Sequence, residues 1–254
     1  MKVAIIGDVH ANLPALEAVL AHARAQGAEA IWNVGDFVGY GPFPDEVIER
    51  LRQGYALSTS GSYDRKVLRF KKRKDKWRRK KQLEKFLACQ WAYERLSKKN
   101  RRYLRFLSRE IRMKVQTRRV LVTHTSPGSS KESLTGETPA RRLGEMAGEA
   151  KAEVIVCGHS HQPFVRRVKG SWFINPGSVG QPRDGDPRAS YAMLQITADD
   201  IQVEPHRLEY DIDALVTAIR NHSLPEAFAQ MALQGRDLDA ILEDRARQGA
   251  EPWR

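Results

Sequence analysis

The apolar positions of this chain come in two rhythms. Lys2–Ile6 is a short apolar run, β-branched at Val3, Ile5 and Ile6, and predicts a buried strand. Residues 13–24 carry apolar side chains at helical spacing. Between the two, Gly7 ends the run, and Asp8, His10 and Asn12 follow on alternate positions. The cycle repeats at residues 30–34, a second strand closed by Gly35-Asp36, ahead of a Gly- and Pro-punctuated loop at 37–44. One or two helical turns at 45–52 and a short strand at 56–58 lead to Gly61-Ser62-Tyr63-Asp64. From residue 64 or 65 to about 109 the pattern is helical with interruptions. Leu83, Phe86, Leu87, Trp91, Leu96, Tyr103, Leu104 and Leu107 give it a packing stripe.

Residues 120–123 return to strand and end at His124, and residues 139–149 read as a helix with Pro139 near its first turn. A strand at 154–157 runs into Gly158-His159-Ser160-His161. Residues 164–168, 172–175, 189–197 and 201–207 read as antiparallel strands joined by short turns, and 211–221 and 225–247 as helices. Strand–helix alternation followed by consecutive strands predicts an α/β fold of two packed sheets with helices outside.

A chain of 254 residues, 41% hydrophobic, is long enough to bury a sizeable core, and no apolar run approaches a membrane span. The expectation is one domain over 1–254, with a helical excursion at 65–119 and C-terminal helices at 211–247. The N-terminus goes straight into a strand, without a signal peptide's apolar stretch, and Cys89 and Cys157 read as reduced thiols. Both point to the cytoplasm. The net charge of +12 is unevenly placed: residues 65–119 hold 24 Lys and Arg against 4 Asp and Glu, a surplus of 20, so the remainder is acidic by 8. The densest stretch is KKRKDKWRRKK, where Trp77 sits among Lys71, Lys72, Arg73, Lys74, Arg78, Arg79, Lys80 and Lys81. It reads either as a solvated surface excursion or as a polyanion patch for RNA or DNA, with Trp77 available for stacking.

Four of the apolar strands end in candidate ligands: Asp8 and His10, Asp36, His124, and His159 with His161. Each alone is explained by a turn or an interior hydrogen bond. Together, several carboxylates and imidazoles at adjacent strand ends would be costly to bury without cations. Five or six such ligands suit two metals, one carboxylate bridging, at the ~3.5–4 Å separation that activates water and neutralises charge developing on phosphate. The set is N/O only, so manganese, iron and nickel are as acceptable as zinc.

With these motifs in hand, the chain resembles the calcineurin-type binuclear metallophosphoesterases, in the YfcE-like bacterial and archaeal phosphodiesterase branch. The resemblance rests on Asp8-Val9-His10-Ala11-Asn12, Gly35-Asp36 through Pro42, Gly61-Ser62-Tyr63-Asp64, Thr123-His124-Thr125, Gly158-His159-Ser160-His161 and Asn175-Pro176-Gly177-Ser178, in the family's order. It implies a four-layer α-β-β-α sandwich of two mixed sheets. It also implies that Asp8, His10 and His161 hold one metal, that Asp36 bridges, and that His124 and His159 hold the second. The family's asparagine ligand is Ser62 here, so that water fills the gap, the second metal binds weakly or nearby backbone takes over, and the residue that often protonates the leaving group is Tyr63 rather than histidine. Asp64 would orient Tyr63 or cap the following helix. Asn12, Tyr40 and Arg183 are candidates for contact with a substrate phosphate.

The expected reaction is hydrolysis of a phosphate ester, most simply a phosphodiester or nucleotide, by in-line attack of metal-bound hydroxide, with His124 or an ordered water assisting. Two alternatives stand beside it. One is a nuclease or polyanion-directed phosphatase; the other is a nucleic-acid-binding or regulatory protein whose catalysis is weakened by Ser62 and Tyr63. The oligomeric state is not legible.

Overall fold

The structure, a computed structural model, describes residues 1–247 and 249. Two five-stranded mixed sheets form its centre. The first runs, in spatial order, β10 (Ile201–Leu208), β9 (Ala189–Ile196), β1 (Lys2–Ile6), β2 (Ala30–Asn33) and β3 (Leu57–Ser58). The second runs β4 (Glu110–Val115), β5 (Arg118–Thr123), β6 (Val154–Val156), β8 (Ser171–Asn175) and β7 (Phe164–Val168). Strand β1 is parallel to β2 and antiparallel to β9, and β6 is parallel to both β5 and β8.

The period-2 alternation of strands assigns each side chain a layer. From β1, Val3 and Ile5 point to the second sheet and pack with Val120, Val122, Val154, Val156 and Ile174. Ala4 and Ile6 point the other way, onto α1 (Leu13–Ala25) and α2 (Pro44–Gln53). Leu121, Ile155 and Phe173 cover the far face of the second sheet and meet α7 (Ala140–Ala150). Both faces of β1 are therefore buried, which is why its sequence is an unbroken apolar run. The result is the expected four-layer α-β-β-α sandwich.

Three expectations need correction. The helical stretch after residue 61 is four helices, α3 (Ser62–Leu68), α4 (Phe70–Lys80), α5 (Leu83–Arg95) and α6 (Lys98–Phe106), and the strand β4 that follows was not expected. Ile111 and Met113 of β4 enter the core between the sheets while Arg112 and Lys114 alternate with them, an edge-strand pattern hidden by its cations. The four late strands do not form one meander: β7 and β8 join the second sheet, β9 and β10 the first. Finally, the helical pattern at 225–247 breaks at Gly235, whose φ of +60° ends α9 (Glu226–Gln234) before α10 (Leu238–Arg247). With α8 (Ile212–Asn221), these helices pack against α4, α5, Tyr40 and Tyr63, and Phe228 meets the Tyr40 ring at 5.3 Å. No described helix is long and apolar enough to cross a membrane.

Candidate metal centre

Strands β1, β2, β5 and β6 bring their carboxyl ends to one edge of the sandwich, where ligands are held in open α/β sheets. The loops that follow are fastened to one another by main-chain hydrogen bonds. Asp8 N–H donates to the Gly35 carbonyl (2.9 Å), His10 N–H to Asp36 (3.0 Å), Ala11 N–H to Phe37 (2.7 Å) and Gly158 N–H to His124 (3.0 Å). The turn at Asn175–Ser178 braces the same loops: Asn175 Nδ2 donates to Gly158 (3.0 Å) and Ser178 Oγ to the Asp8 carbonyl (2.6 Å). Asp8, His10, Asp36, His159 and His161 all lie in the left-handed region, with φ between +47° and +71°. That conformation costs roughly 1–2 kcal/mol per residue, and such strain concentrates where function needs a side chain aimed against local preference.

Two triads result. Asp8, His10 and His161 form one, Asp36, His124 and His159 the other, each with its ligand atoms within 4.8 Å of one another. Asp8 and Asp36 are 0% and 1% exposed, and His10, His124 and His161 no more than 2%. In the first triad His10 Nδ1 faces the Val38 carbonyl (3.2 Å) and His161 Nδ1 the Gln181 carbonyl (2.6 Å). A carbonyl only accepts, so both Nδ1 atoms carry a proton, and in a neutral ring the Nε2 atom then presents a lone pair. Those Nε2 atoms are 3.3 Å apart, and Asp8 Oδ1 lies 3.3 Å from one and 4.0 Å from the other. Asp8 Oδ1 is buried with no hydrogen-bond partner. Converging lone pairs beside a bare carboxylate oxygen repel one another unless a cation sits among them.

The second triad repeats the device. His124 Nδ1 bonds the Val34 carbonyl (3.0 Å), and its Nε2 lies 3.3 Å from Asp36 Oδ2 and 3.2 Å from His159 Nδ1. The same Asp36 oxygen is 3.9 Å from His10 Nε2, which joins the two triads. Electrostatics agree. Burial and the neighbouring His161 push His10 down to about 3, and burial with His124 pushes His159 to about 4, so both rings are held neutral. Burial opposes charge on Asp36, yet His124 outweighs it and holds Asp36 well below the usual carboxylate range. Burial likewise opposes charge on His124, but Asp36 lifts it to about 9. Among the described residues neither Asp8 nor Asp36 pairs with Lys or Arg. The donor set is nitrogen and oxygen; Cys157, pushed to about 12 by burial, belongs to the core. It fits two divalent cations.

The remaining candidates divide. Ser62 opens α3 and its Oγ donates to Asp36 Oδ2 (3.1 Å), so it reaches the centre. Its neighbour Gly61 is packed so closely that a Cβ there would lie 2.0 Å from Asp36 N. Tyr63 N–H donates to Asp36 Oδ1 (2.5 Å), while its hydroxyl bonds that of Tyr40. Burial, then Tyr40, raise Tyr63 well above the usual phenol value, and burial takes Tyr40 to about 12. Asp64 does not meet Tyr63. Its fully buried carboxylate accepts from the main-chain N–H groups of Gly61 (2.8 Å), Asp36 (3.1 Å) and Phe37 (3.0 Å), so it caps α3 and ties the Asp36 loop. Burial, aided by the charge of Asp36, raises it to about 7. Asn12 is likewise occupied: it caps α1 through Ala15 N–H (3.1 Å) and donates to the Gly180 carbonyl and Tyr210 hydroxyl (both 3.2 Å).

Over the triads lies a cleft of about 200 Å³, with Asp36, Ser62, His159 and His161 at its floor. Tyr40, Tyr63 and Arg183 form walls, as do Lys66, Lys85 and the start of α10 at Asp237–Asp239, which sequence reasoning missed. Lys66 is one helical turn beyond Ser62, a spacing that would have flagged it had it not stood in a crowd of cations. Of the basic segment, Lys71, Lys72, Arg73, Lys74, Arg78, Arg79 and Lys80 are exposed on α4, while Trp77 and Lys81 are half-buried. Trp77 packs against the apolar cluster of α5 and the C-terminal helices, 6.5 Å from the Phe70 ring, with Lys81 Nζ 4.9 Å from its ring. Its ring is engaged in packing within the chain.

Residues 1–199 match the Calcineurin-like phosphoesterase superfamily domain. An uncharacterized protein of Methanocaldococcus jannaschii is 31% identical over 92% of this chain and 98% of its own length. Phosphodiesterase YfcE of Escherichia coli is 26% identical over 76% of this chain and 87% of its own. Among solved structures, a metallophosphoesterase from Sphaerobacter thermophilus is 32% identical with a TM-score of 0.76, covering 92% of this chain and 100% of that one. The chain therefore belongs to the calcineurin-like phosphoesterase superfamily, and it is a phosphoesterase.

Proposed function

We propose that this chain hydrolyses phosphodiesters, of small molecules or nucleotides, with two divalent cations at its strand ends. Asp8, His10 and His161 would hold one cation and His124 and His159 the other, with Asp36 between them. The supporting observation is the pair of imidazole Nε2 nitrogens 3.3 Å apart beside the unpartnered Asp8 Oδ1. Bound there, divalent cations supply Lewis acidity toward phosphoryl oxygens and acidify water. The chain's own residues set the rest. Main-chain carbonyls fix each imidazole tautomer, a tuning that cation sites depend on. Ser62 contacts Asp36 through a short hydroxyl and leaves the second cation with fewer protein ligands, hence more weakly bound. Tyr63, its hydroxyl committed to Tyr40, shapes the wall of the cleft and is a poor proton donor to a leaving group.

The test is turnover of bis(p-nitrophenyl) phosphate against p-nitrophenyl phosphate after loading with manganese, iron(II), zinc or nickel. The diester is expected to be the better substrate in at least one metal. No hydrolysis of either compound in any metal would end the reading.

One observation favours a second, compatible reading. Among the described residues, none of the exposed Lys and Arg side chains of α4 forms a salt bridge. Uncompensated charge of that density fits a polyanion such as RNA or DNA. Fluorescence polarisation with a single-stranded oligonucleotide at 50 and 200 mM salt tests it: affinity should fall steeply with salt, and a flat response counts against it.

A further inference from the structure

Within that phosphoesterase reading, the cleft holds an imbalance that the cation ligands leave unexplained. Three basic side chains line it: Lys66, Lys85 and Arg183. Lys85 is neutralised, since its Nζ lies 2.6 Å from Asp239 of α10. Lys66 and Arg183 have no carboxylate partner among the described residues. Lys66 is half-buried, with its Nζ over the face of the Tyr63 ring, 4.2 Å from the ring centre. Arg183 donates to the Gln181 side chain at 3.3 Å, while its Nε is buried without a partner. The nearby acids are taken elsewhere: Asp184 by Arg207, Asp186 by Arg188 at 2.7 Å, and Asp237 as a cap on Ala240 N–H at 2.8 Å.

A partly buried cation without a counter-ion is unfavourable, and two of them facing one cleft repel each other. Burial already disfavours the charged form of Lys66, and the charge of Asp36 at the cleft floor opposes that loss. One of the two tyrosine hydroxyl protons that could serve an anion is taken, because the Tyr40 and Tyr63 hydroxyls bond each other. What completes such a site is an anion with oxygens on more than one side.

We propose that Lys66 and Arg183 form an anion clamp that binds the non-bridging oxygens of the substrate phosphate, Lys66 from α3 and Arg183 from the loop before β9. Lys66 is then an anion-binding residue of this site, and the Lys85–Asp239 pair marks the wall at which the clamp ends. The guanidinium supplies directional donors and the ammonium a compact charge, so the two are not interchangeable.

The experiment uses the manganese-loaded protein and inorganic phosphate as probe, titrated calorimetrically, beside the KM for bis(p-nitrophenyl) phosphate. Lys66→Met should weaken phosphate binding and raise KM by about tenfold to a hundredfold, the range of a lost charge-assisted hydrogen bond. Lys66→Arg keeps the charge without the compact ammonium and should recover only part of the binding. Metal content by elemental analysis and the melting temperature should stay at wild-type values, which separates lost anion contact from a damaged centre. Arg183→Gln carries the same test from the opposite wall if Lys66→Met fails to fold. Phosphate affinity unchanged in either soluble variant overturns the clamp. Phosphate affinity that depends on Lys66 in a protein that hydrolyses no ester supports the clamp and sinks the diesterase reading alone.

Discussion

Gly61→Ala is the sharpest perturbation available, because it adds a single methyl group where the centre is tightest. The backbone at Gly61 is extended, with φ −81° and ψ 178°, so alanine brings no conformational penalty. The added carbon would, however, lie 2.0 Å from Asp36 N, 2.1 Å from Asp36 Oδ1 and 2.7 Å from Asp36 Cα. Ordinary contact begins near 3.4 Å, so the Asp36 and Gly61 loops must part by more than an ångström. Parting them strains or breaks the hydrogen bonds that Tyr63 N–H (2.5 Å) and Ser62 Oγ (3.1 Å) donate to the buried Asp36 carboxylate. Each bond to a charged group is worth about 1.5–3 kcal/mol, and overpacking itself costs about 1–3 kcal/mol. The total, about 4–9 kcal/mol, is comparable with the whole stability of a typical domain. Partial relaxation brings the expected loss toward the lower end, about 4 kcal/mol, or a melting temperature lower by about 8–16 °C at this chain length. Scanning calorimetry of the metal-loaded protein measures it, with elemental analysis reporting fewer than two cations per chain. Gly148→Ala gives the contrast: this exposed residue of α7 has nothing within 4 Å of its would-be Cβ, and the change should stabilise by about 0.5–1 kcal/mol. A Gly61→Ala protein that melts with wild type and binds two cations would refute the packing argument.

Three further outcomes follow from the same geometry. Chelation should lower the melting temperature by about 5–10 °C for each cation removed, since each cation at a hundred times its dissociation constant contributes about 2.7 kcal/mol; identical melting with and without chelator contradicts the two-triad assignment. Ser62→Asn extends an oxygen donor by one atom toward the second triad, so the weaker of two manganese dissociation constants should tighten by about tenfold, or about 1.4 kcal/mol; two unaltered isotherms would place Ser62 outside the coordination sphere. Trp77→Ala should destabilise by about 1–3 kcal/mol through lost burial while leaving oligonucleotide affinity near wild type; a large affinity loss with unchanged stability would restore Trp77 as a stacking residue.

What the sequence by itself determined is the layer pattern and the candidate ligands at the strand ends. Alternation and helical spacing are local properties, so the apolar run at Lys2–Ile6 and the strand ends at Asp8, Asp36, His124 and His159 could be read without knowing what lay beside them. The tertiary structure decided everything that depends on a distant neighbour. Asp64 takes the capping role, one of the two its position allowed, and which of the two held depended on the Asp36 and Phe37 N–H groups that it also binds. Asn12 and the Tyr63 hydroxyl were claimed by Gly180 and Tyr40, partners separated from them by 168 and 23 positions. The edge strand β4 was masked because Arg112 and Lys114 dilute an apolar face that only the second sheet makes useful. Lys66 was invisible as a site residue because one cation among 24 in that segment carries no local mark. Its meaning comes from which charges are absent around it, and an absence in three dimensions leaves no trace along the chain.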